Sequence, residues 1–204
     1  MKTMNEHAII IFQENPVPGK VKTRLGEVIG SEKAVEVYEY LLHHTHELVR
    51  DYPADVFVYF LDNVNEDYLL NDQYHLGLQG KGLLGERMQQ AFVDVLGKGY
   101  EKALFIRVAG TMELSNDILD EAFEALSYQD LVVGPAHDGT IYLLGMTKVH
   151  DKVFDQNDWK SDSLIVDLTQ EAKDMGLEMH KLPQLYEVEQ YEDLKSLKGL
   201  LNIH

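Results

Sequence analysis

No cysteine occurs among the 204 residues. That excludes disulfides, thiolate-bound metals and a cysteine nucleophile, and it is compatible with a reducing cytosol. Positive charge is scarce: 18 lysines and arginines stand against 35 acidic residues, for a formal net charge of -17. A field of that sign repels nucleic acid and anionic membrane surfaces, so neither is an expected partner. Long apolar runs are missing as well. Nothing approaches the roughly 20 consecutive apolar residues of a membrane span. The opening "MKTMNEHAIIIF" has too short an apolar run for a signal peptide and no small-residue cleavage site. A cytoplasmic location is the resulting expectation. With no internal repeat, low-complexity tract or shift in composition, residues 1–204 are expected to form one domain.

What is present is an alternation of strand-like and helix-like segments. "AIIIF" (residues 8–12), "DVFVYFL" (55–61), "YHLGLQ" (74–79), "ALFIRVA" (103–109), "DLVVGPA" (130–136), "IYLLGM" (141–146) and "LEMHKLP" (177–183) read as strands. Between them, Ser31 to Arg50 has Ala34, Val37, Tyr38, Leu41, Leu42, Leu48 and Val49 at helical spacing, with Ser31 placed to cap it. Leu83–Gly97, the stretch opened by Ser115, and about Ser161–Met175 complete the helices, and a short helix follows from Tyr191. The pattern predicts an α/β fold: a three-layer α/β/α sandwich around a mostly parallel mixed sheet. In such sheets ligands bind beyond the carboxyl ends of the strands.

One stretch runs against the overall charge. "NPVPGKVKTRLG", directly after the first strand, places Lys20, Lys22 and Arg24 in a loop broken by Pro16, Pro18 and Gly19. The prolines and glycine shape an extended turn with free backbone amides, and arginine offers a planar fork suited to phosphate oxygens. The loop reads either as a phosphate site or as a solvated loop whose cations offset nearby acids. Neither the Walker pattern nor the dinucleotide glycine fingerprint is present to decide between them.

Joined to "QGKGLLGERMQQAF", "NDWKSDS", "GPAHDGTIYLLGM" and "LPQLYEVEQYEDL", that loop carries a resemblance covering about Ile9 to Leu194. The chain resembles the type 1 radical-SAM/selenodomain-associated transferases. These are glycosyltransferase-A-like proteins of the nucleotide-diphospho-sugar transferase superfamily. The resemblance implies a nucleotide or nucleotide sugar over the first half of the sheet, with phosphates at Pro18, Gly19, Lys22, Arg24 and Arg87. It also implies a divalent ion, Mg2+ or Mn2+, near the departing phosphate, where negative charge grows during transfer. Asp138 would act as the catalytic residue, with Gly139 and Trp159 at the acceptor pocket.

Four departures cluster around this implied site. Glu14 stands where the family usually has lysine, and a carboxylate there repels phosphate. Leu83 replaces an acid, and Thr140 replaces a glycine that allows close backbone approach. Gly110 stands where the resemblance implies the aspartate that holds the metal, and hard cations want oxygen ligands that glycine lacks. In the tail, Glu187 and Glu189 take the place of two aspartates, so Glu189 is a remaining candidate metal ligand or simply a surface acid.

The other candidates carry plain alternatives. Asp138 could cap its own turn, Glu86 and Arg87 could pair with neighbours, and Trp159 could simply pack. Glu113, three residues after Gly110, has nothing in the sequence to place it. His43 and His46 stand one helical turn apart but lack a third ligand, which reads as a solvated face. The leading expectation is a transferase using an activated nucleotide. The alternatives are a nucleotide-binding or regulatory homologue without metal or chemistry, and a nucleotidyltransferase acting on a small phosphorylated acceptor. The oligomeric state stays open.

Overall fold

A computed structural model of the chain describes residues 6–155 and 158–197. The opening residues 1–5 and Asn157 of the tryptophan region, read above from sequence, lie outside the described residues. Seven strands form one sheet: β1 (His7–Gln13), β2 (Asp55–Phe60), β3 (His75–Leu78), β4 (Lys102–Arg107), β5 (Leu131–Pro135), β6 (Ile141–Met146) and β7 (Met179–Lys181). The helices are α1 (Thr23–Ile29), α2 (Ser31–Arg50), α3 (Leu84–Leu96), α4 (Asn116–Ala125), α5 (Asp151–Phe154) and α6 (Leu164–Asp174). The order across the sheet is β3-β2-β1-β4-β6-β5-β7, parallel except for β6, which runs antiparallel to both β4 and β5.

Alternation along β1 shows how the layers arise. Ala8 and Ile10 face a core with Met88, Phe92 and Leu168 of α3 and α6, while Ile9 and Ile11 face a second core with Val49, Leu119 and Phe123 of α2 and α4. A strand covered on both faces cannot afford polar residues on either, and β1, β5 and β6 are accordingly near-continuous apolar runs. Each fully buried isoleucine contributes about 1.5–3 kcal/mol of transfer free energy. A third core, with Val21, Leu25, Ala34, Leu41 and Val188, seats α1 and α2 against the tail of the chain.

β1 pairs with β2 on one side and β4 on the other, so the chain reverses its winding at β1/β4. Loops leaving the two strands diverge there and leave a crevice, the expected ligand position in open α/β sheets.

Several local readings are corrected. Gly30, not Ser31, caps α2, and Ser31 is its first residue, with its hydroxyl donating to Glu32. Ser115 does occupy the N-cap of α4, but its side chain makes no capping bond. The helix expected from Ser161 begins at Leu164, the last strand is only three residues long, and the segment from Tyr191 forms 3-10 turns through Leu197. α1 and α5 had no counterpart in the sequence reading. Both are short, and Gly26 inside α1 hides a helical pattern while letting the backbone approach Ala34. Among the described residues no helix is long and apolar enough to cross a membrane.

Candidate functional site

The loop after β1 is fixed from beneath. The Tyr38 hydroxyl, on α2, accepts from the Glu14 amide at 3.1 Å and donates to the Glu14 carbonyl at 2.9 Å. Gly19 (φ 78) turns the chain, a conformation that glycine adopts without a Cβ clash. Lys22 then takes a left-handed backbone (φ 46) just before α1, which is uncommon for a residue with a side chain. Its ammonium reaches the tail, donating to the Val188 carbonyl and to Glu189 Oε1, each at 2.7 Å, with 6% of the side chain exposed.

The end of β4 meets the same tail. Arg107 donates to Glu187 Oε2 at 2.9 Å and to the Thr140 hydroxyl at 3.2 Å, and its other terminal nitrogen lies 3.7 Å from Glu189 Oε1. Thr140 donates through its amide at 3.0 Å and its hydroxyl at 2.6 Å to Asp138 Oδ1. The next turn bends through Ala109, again left-handed (φ 55), and the Gly110 carbonyl accepts from the Val188 amide at 2.7 Å. Glu187 is thereby buried. Burial pushes its carboxyl up to about 7; Arg107 opposes the shift and Glu189 adds to it. Its Oε1 has no hydrogen-bond partner among the described residues and lies against Gly110. For Arg107, burial works against the charge, but Glu187, Glu189 and Asp138 outweigh it and raise the pKa.

Above this floor lies a cavity of about 390 Å3, within the size range of small-molecule sites. Phe12, Leu84, Met88, Phe105, Ile141 and Trp159 supply apolar wall. Lys22, Arg24, Arg87, Arg107 and Lys160 line it, against the carboxylates Glu14, Asp138 and Glu189. In a chain of net charge -17 this local balance is inverted. Arg24 makes no hydrogen bond or ion pair with the described residues, and Lys160 makes no ion pair with them. Arg87 donates to Gln79 Oε1, while its buried Nε has no partner among the described residues. Glu14 also faces the cavity; burial raises its pKa, and Lys160 and Arg87 pull it back.

Of the residues singled out from sequence, Glu14, Lys22, Arg24, Arg87, Asp138, Thr140, Trp159 and Glu189 line this one cavity. Pro18 and Gly19 shape the loop but stay outside it, and Lys20 pairs on the surface with Asp62 at 3.7 Å. Gly139 is also outside. It is left-handed (φ 87), a Cβ there would overlap the Asp162 carbonyl, and its own carbonyl accepts from Ile165, so its role is to join β6 to α6. Trp159 stacks on Phe154, and its indole Nε1 and Cδ1 fill the space that a Cβ on Gly85 would need, which explains a glycine inside α3. Glu113 is spent elsewhere, accepting from the Tyr186 amide at 2.8 Å. His43 is exposed and meets Glu47 at 3.3 Å, but His46 is buried, 2.8 Å from Gln13 Oε1, so the two do not share a solvated face. Arg107 and Lys160 were missed. A single cation ending an apolar strand, and one beside the lone tryptophan, were the only signals.

Oxygen ligands for a hard cation must converge on one point. Among the described residues no three His, Asp or Glu side chains are grouped to hold a metal ion. The carboxylates near Gly110 are instead directed to Lys22, Arg107 and Thr140.

Known proteins share this architecture. A candidate nucleotide-diphospho-sugar transferase from Desulfovibrio desulfuricans G20 superposes with a TM-score of 0.88 at 28% identity, over 98% of this chain and 90% of its own. CMP:2-keto-3-deoxy-manno-octonic acid synthetase complexed with CTP gives a TM-score of 0.58 at 10% identity, covering 95% of this chain and 97% of that one. Glucosyl-3-phosphoglycerate synthase from Mycobacterium tuberculosis, in complex with Mn2+, UDP and glucosyl-3-phosphoglycerate, gives 0.56 at 8% identity, covering 95% and 75%. The last two likenesses speak to the fold alone, which is that of the nucleotide-diphospho-sugar transferases. No curated protein matches the sequence. Residues 44–161, more than half of the chain, match a family model, and the protein belongs to that family, described as "Uncharacterized protein conserved in bacteria (DUF2064)".

Proposed function

We propose that this protein is a transferase that uses an activated nucleotide, with a nucleotide sugar as the first candidate donor. One observation carries the reading. Arg24, Arg87 and Lys160 line a cavity at the sheet's reversal point with no carboxylate of the described residues bound to them, in a strongly acidic chain. Unpaired cations facing a cavity are stabilised by an anion, and a diphosphate is the anion that this fold's relatives suggest. The likeness to the Desulfovibrio protein supports the same class.

In sugar transfer the bond between the sugar carbon and the phosphate oxygen breaks, and its electron pair leaves on the nucleoside diphosphate. Arg24, Arg87 and Lys160 offset the charge that grows there. The acceptor hydroxyl forms the new bond to carbon and gives its proton to a carboxylate. Asp138 suits that role: Oδ1 is held by Thr140, and Oδ2 has no partner among the described residues.

A nucleotidyltransferase remains the second reading, favoured by the shared fold with the CTP-bound synthetase. A thermal-shift panel of UDP, UDP-glucose and CTP separates the readings. Saturating donor raises Tm by several degrees, and hydrolysis or transfer from UDP-glucose follows. A response to CTP alone favours nucleotidyl transfer. A response without turnover of any donor favours a binding protein, and no response to any of them removes the nucleotide reading.

A further inference from the structure

Resting on the nucleotide reading, we infer that this chain holds its ligand without a divalent cation, with Arg107 and Lys22 set in the position that such an ion would need. The donor set argues this directly. A hard cation requires several oxygens aimed at one point, and Gly110 brings no side chain to the place where the resemblance implies an aspartate. The space beside Gly110 is taken by Glu187 Oε1, which a Cβ on that glycine would overlap. Glu187 does not line the cavity. One of its oxygens faces Gly110, and the other is bound by Arg107 at 2.9 Å.

Glu189, the remaining tail carboxylate, receives Lys22 at 2.7 Å and has Arg107 3.7 Å away. Asp138 holds Thr140 through Oδ1, and its Oδ2 is a single oxygen, too few for a hard cation. The residues therefore do not fit the ion that the resemblance implies. Two protein cations balance two carboxylates, which is the charge that one divalent ion would balance. The network closes on itself and leaves Arg24, Arg87 and Lys160 to meet the ligand's phosphate charge. Lys22 keeps a left-handed backbone while its ammonium makes these inward contacts, so the arrangement is not that of a casual surface pair.

Two measurements on the whole chain test this. Mn2+ is titrated into metal-stripped protein and the free-ion EPR signal is followed; UDP binding is measured by calorimetry in EDTA and in Mn2+. The expected results are an undiminished free Mn2+ signal and a UDP affinity that changes by less than about twofold between the buffers. Stoichiometric Mn2+ uptake by the protein alone, or an affinity about tenfold weaker in EDTA, overturns the inference and leaves the nucleotide reading standing. If UDP binds in neither buffer the UDP donor is excluded, CTP takes its place in the same comparison, and the Mn2+ titration still decides the cation question.

Arg107→Met then frees Glu187 and removes the second cation beside Glu189, whose bond to Lys22 remains. The folded variant is expected to take up Mn2+ where the parent does not, and a folded variant that takes up none overturns the assignment of Arg107. Lys22→Met, which removes the nearer cation from Glu189 and leaves Arg107 in place, serves the same purpose if the first variant does not fold.

Discussion

Oε1 of Glu187 fills the space into which any side chain on Gly110 would project. Arg107 and Thr140 hold the other oxygen of that carboxylate, so it has little freedom to step aside. Gly110→Asp is therefore expected to lower stability by about 1–3 kcal/mol, as overpacking of a closed site does, without creating metal dependence. Urea unfolding gives the first quantity and Mn2+ titration the second. Adding Glu187→Ala, which vacates the contested space, should recover part of the stability loss.

Arg24 stands at the cavity wall, exposed and with no described partner, so its removal costs the fold nothing that is visible. Arg24→Ala is expected to leave the unfolding midpoint within about 0.5 kcal/mol of the parent. Its affinity for UDP should fall about tenfold, the loss expected for a charge-assisted bond worth roughly 1.5 kcal/mol. Calorimetry checks it, and unchanged affinity would remove Arg24 from the phosphate site.

Leu83 is the N-cap of α3 and is 78% exposed, with an extended backbone and no side-chain oxygen to offer the first turn. Glu86 supplies only the return half of a capping box, accepting from the Leu83 amide at 2.6 Å. Leu83→Ser should complete it and raise stability by about 1 kcal/mol. A serine variant no more stable than the parent in urea would show that the end of the helix is satisfied some other way.

Two buried groups make stability depend on pH in opposite directions. Burial, aided by His43, pushes His46 down to about 4 from an ordinary value of 6.5. Between those values the unfolded chain binds a proton that the folded chain refuses. The contribution of His46 is thus intact above pH 6.5 and is lost as pH falls toward 4, by up to about 3 kcal/mol. Glu187 is raised from 4.5 to about 7, so the folded chain binds the extra proton and stability drops as pH rises through that interval. His46→Gln isolates the first effect. Relative to this variant, the parent should lose on the order of 2 kcal/mol between pH 7 and 4.5, and a constant difference would refute the assignment.

The parts of the fold legible in the sequence are those where apolar spacing is long and regular. β1, β2, β4 and helices α2 and α3 follow from that spacing alone. The reversed direction of β6 does not, because a strand buried on both faces reads the same in either sense. At the site, Lys22 and Arg24 announce themselves as cations in a loop with prolines and glycine. Lys22's partner could not be foreseen, since Glu189 lies 167 residues away and the contact depends on how the tail crosses the end of the sheet. Arg107 was hidden for a related reason: one arginine at the end of an apolar strand carries no local mark of what it will face.

The path of the tail across the sheet has a consequence for truncation. A chain cut after Lys181 would keep all seven strands but lose both Glu187 and Glu189. Lys22 and Arg107 would then lack these two carboxylates, so the counter-charges that hold them come from outside the sheet.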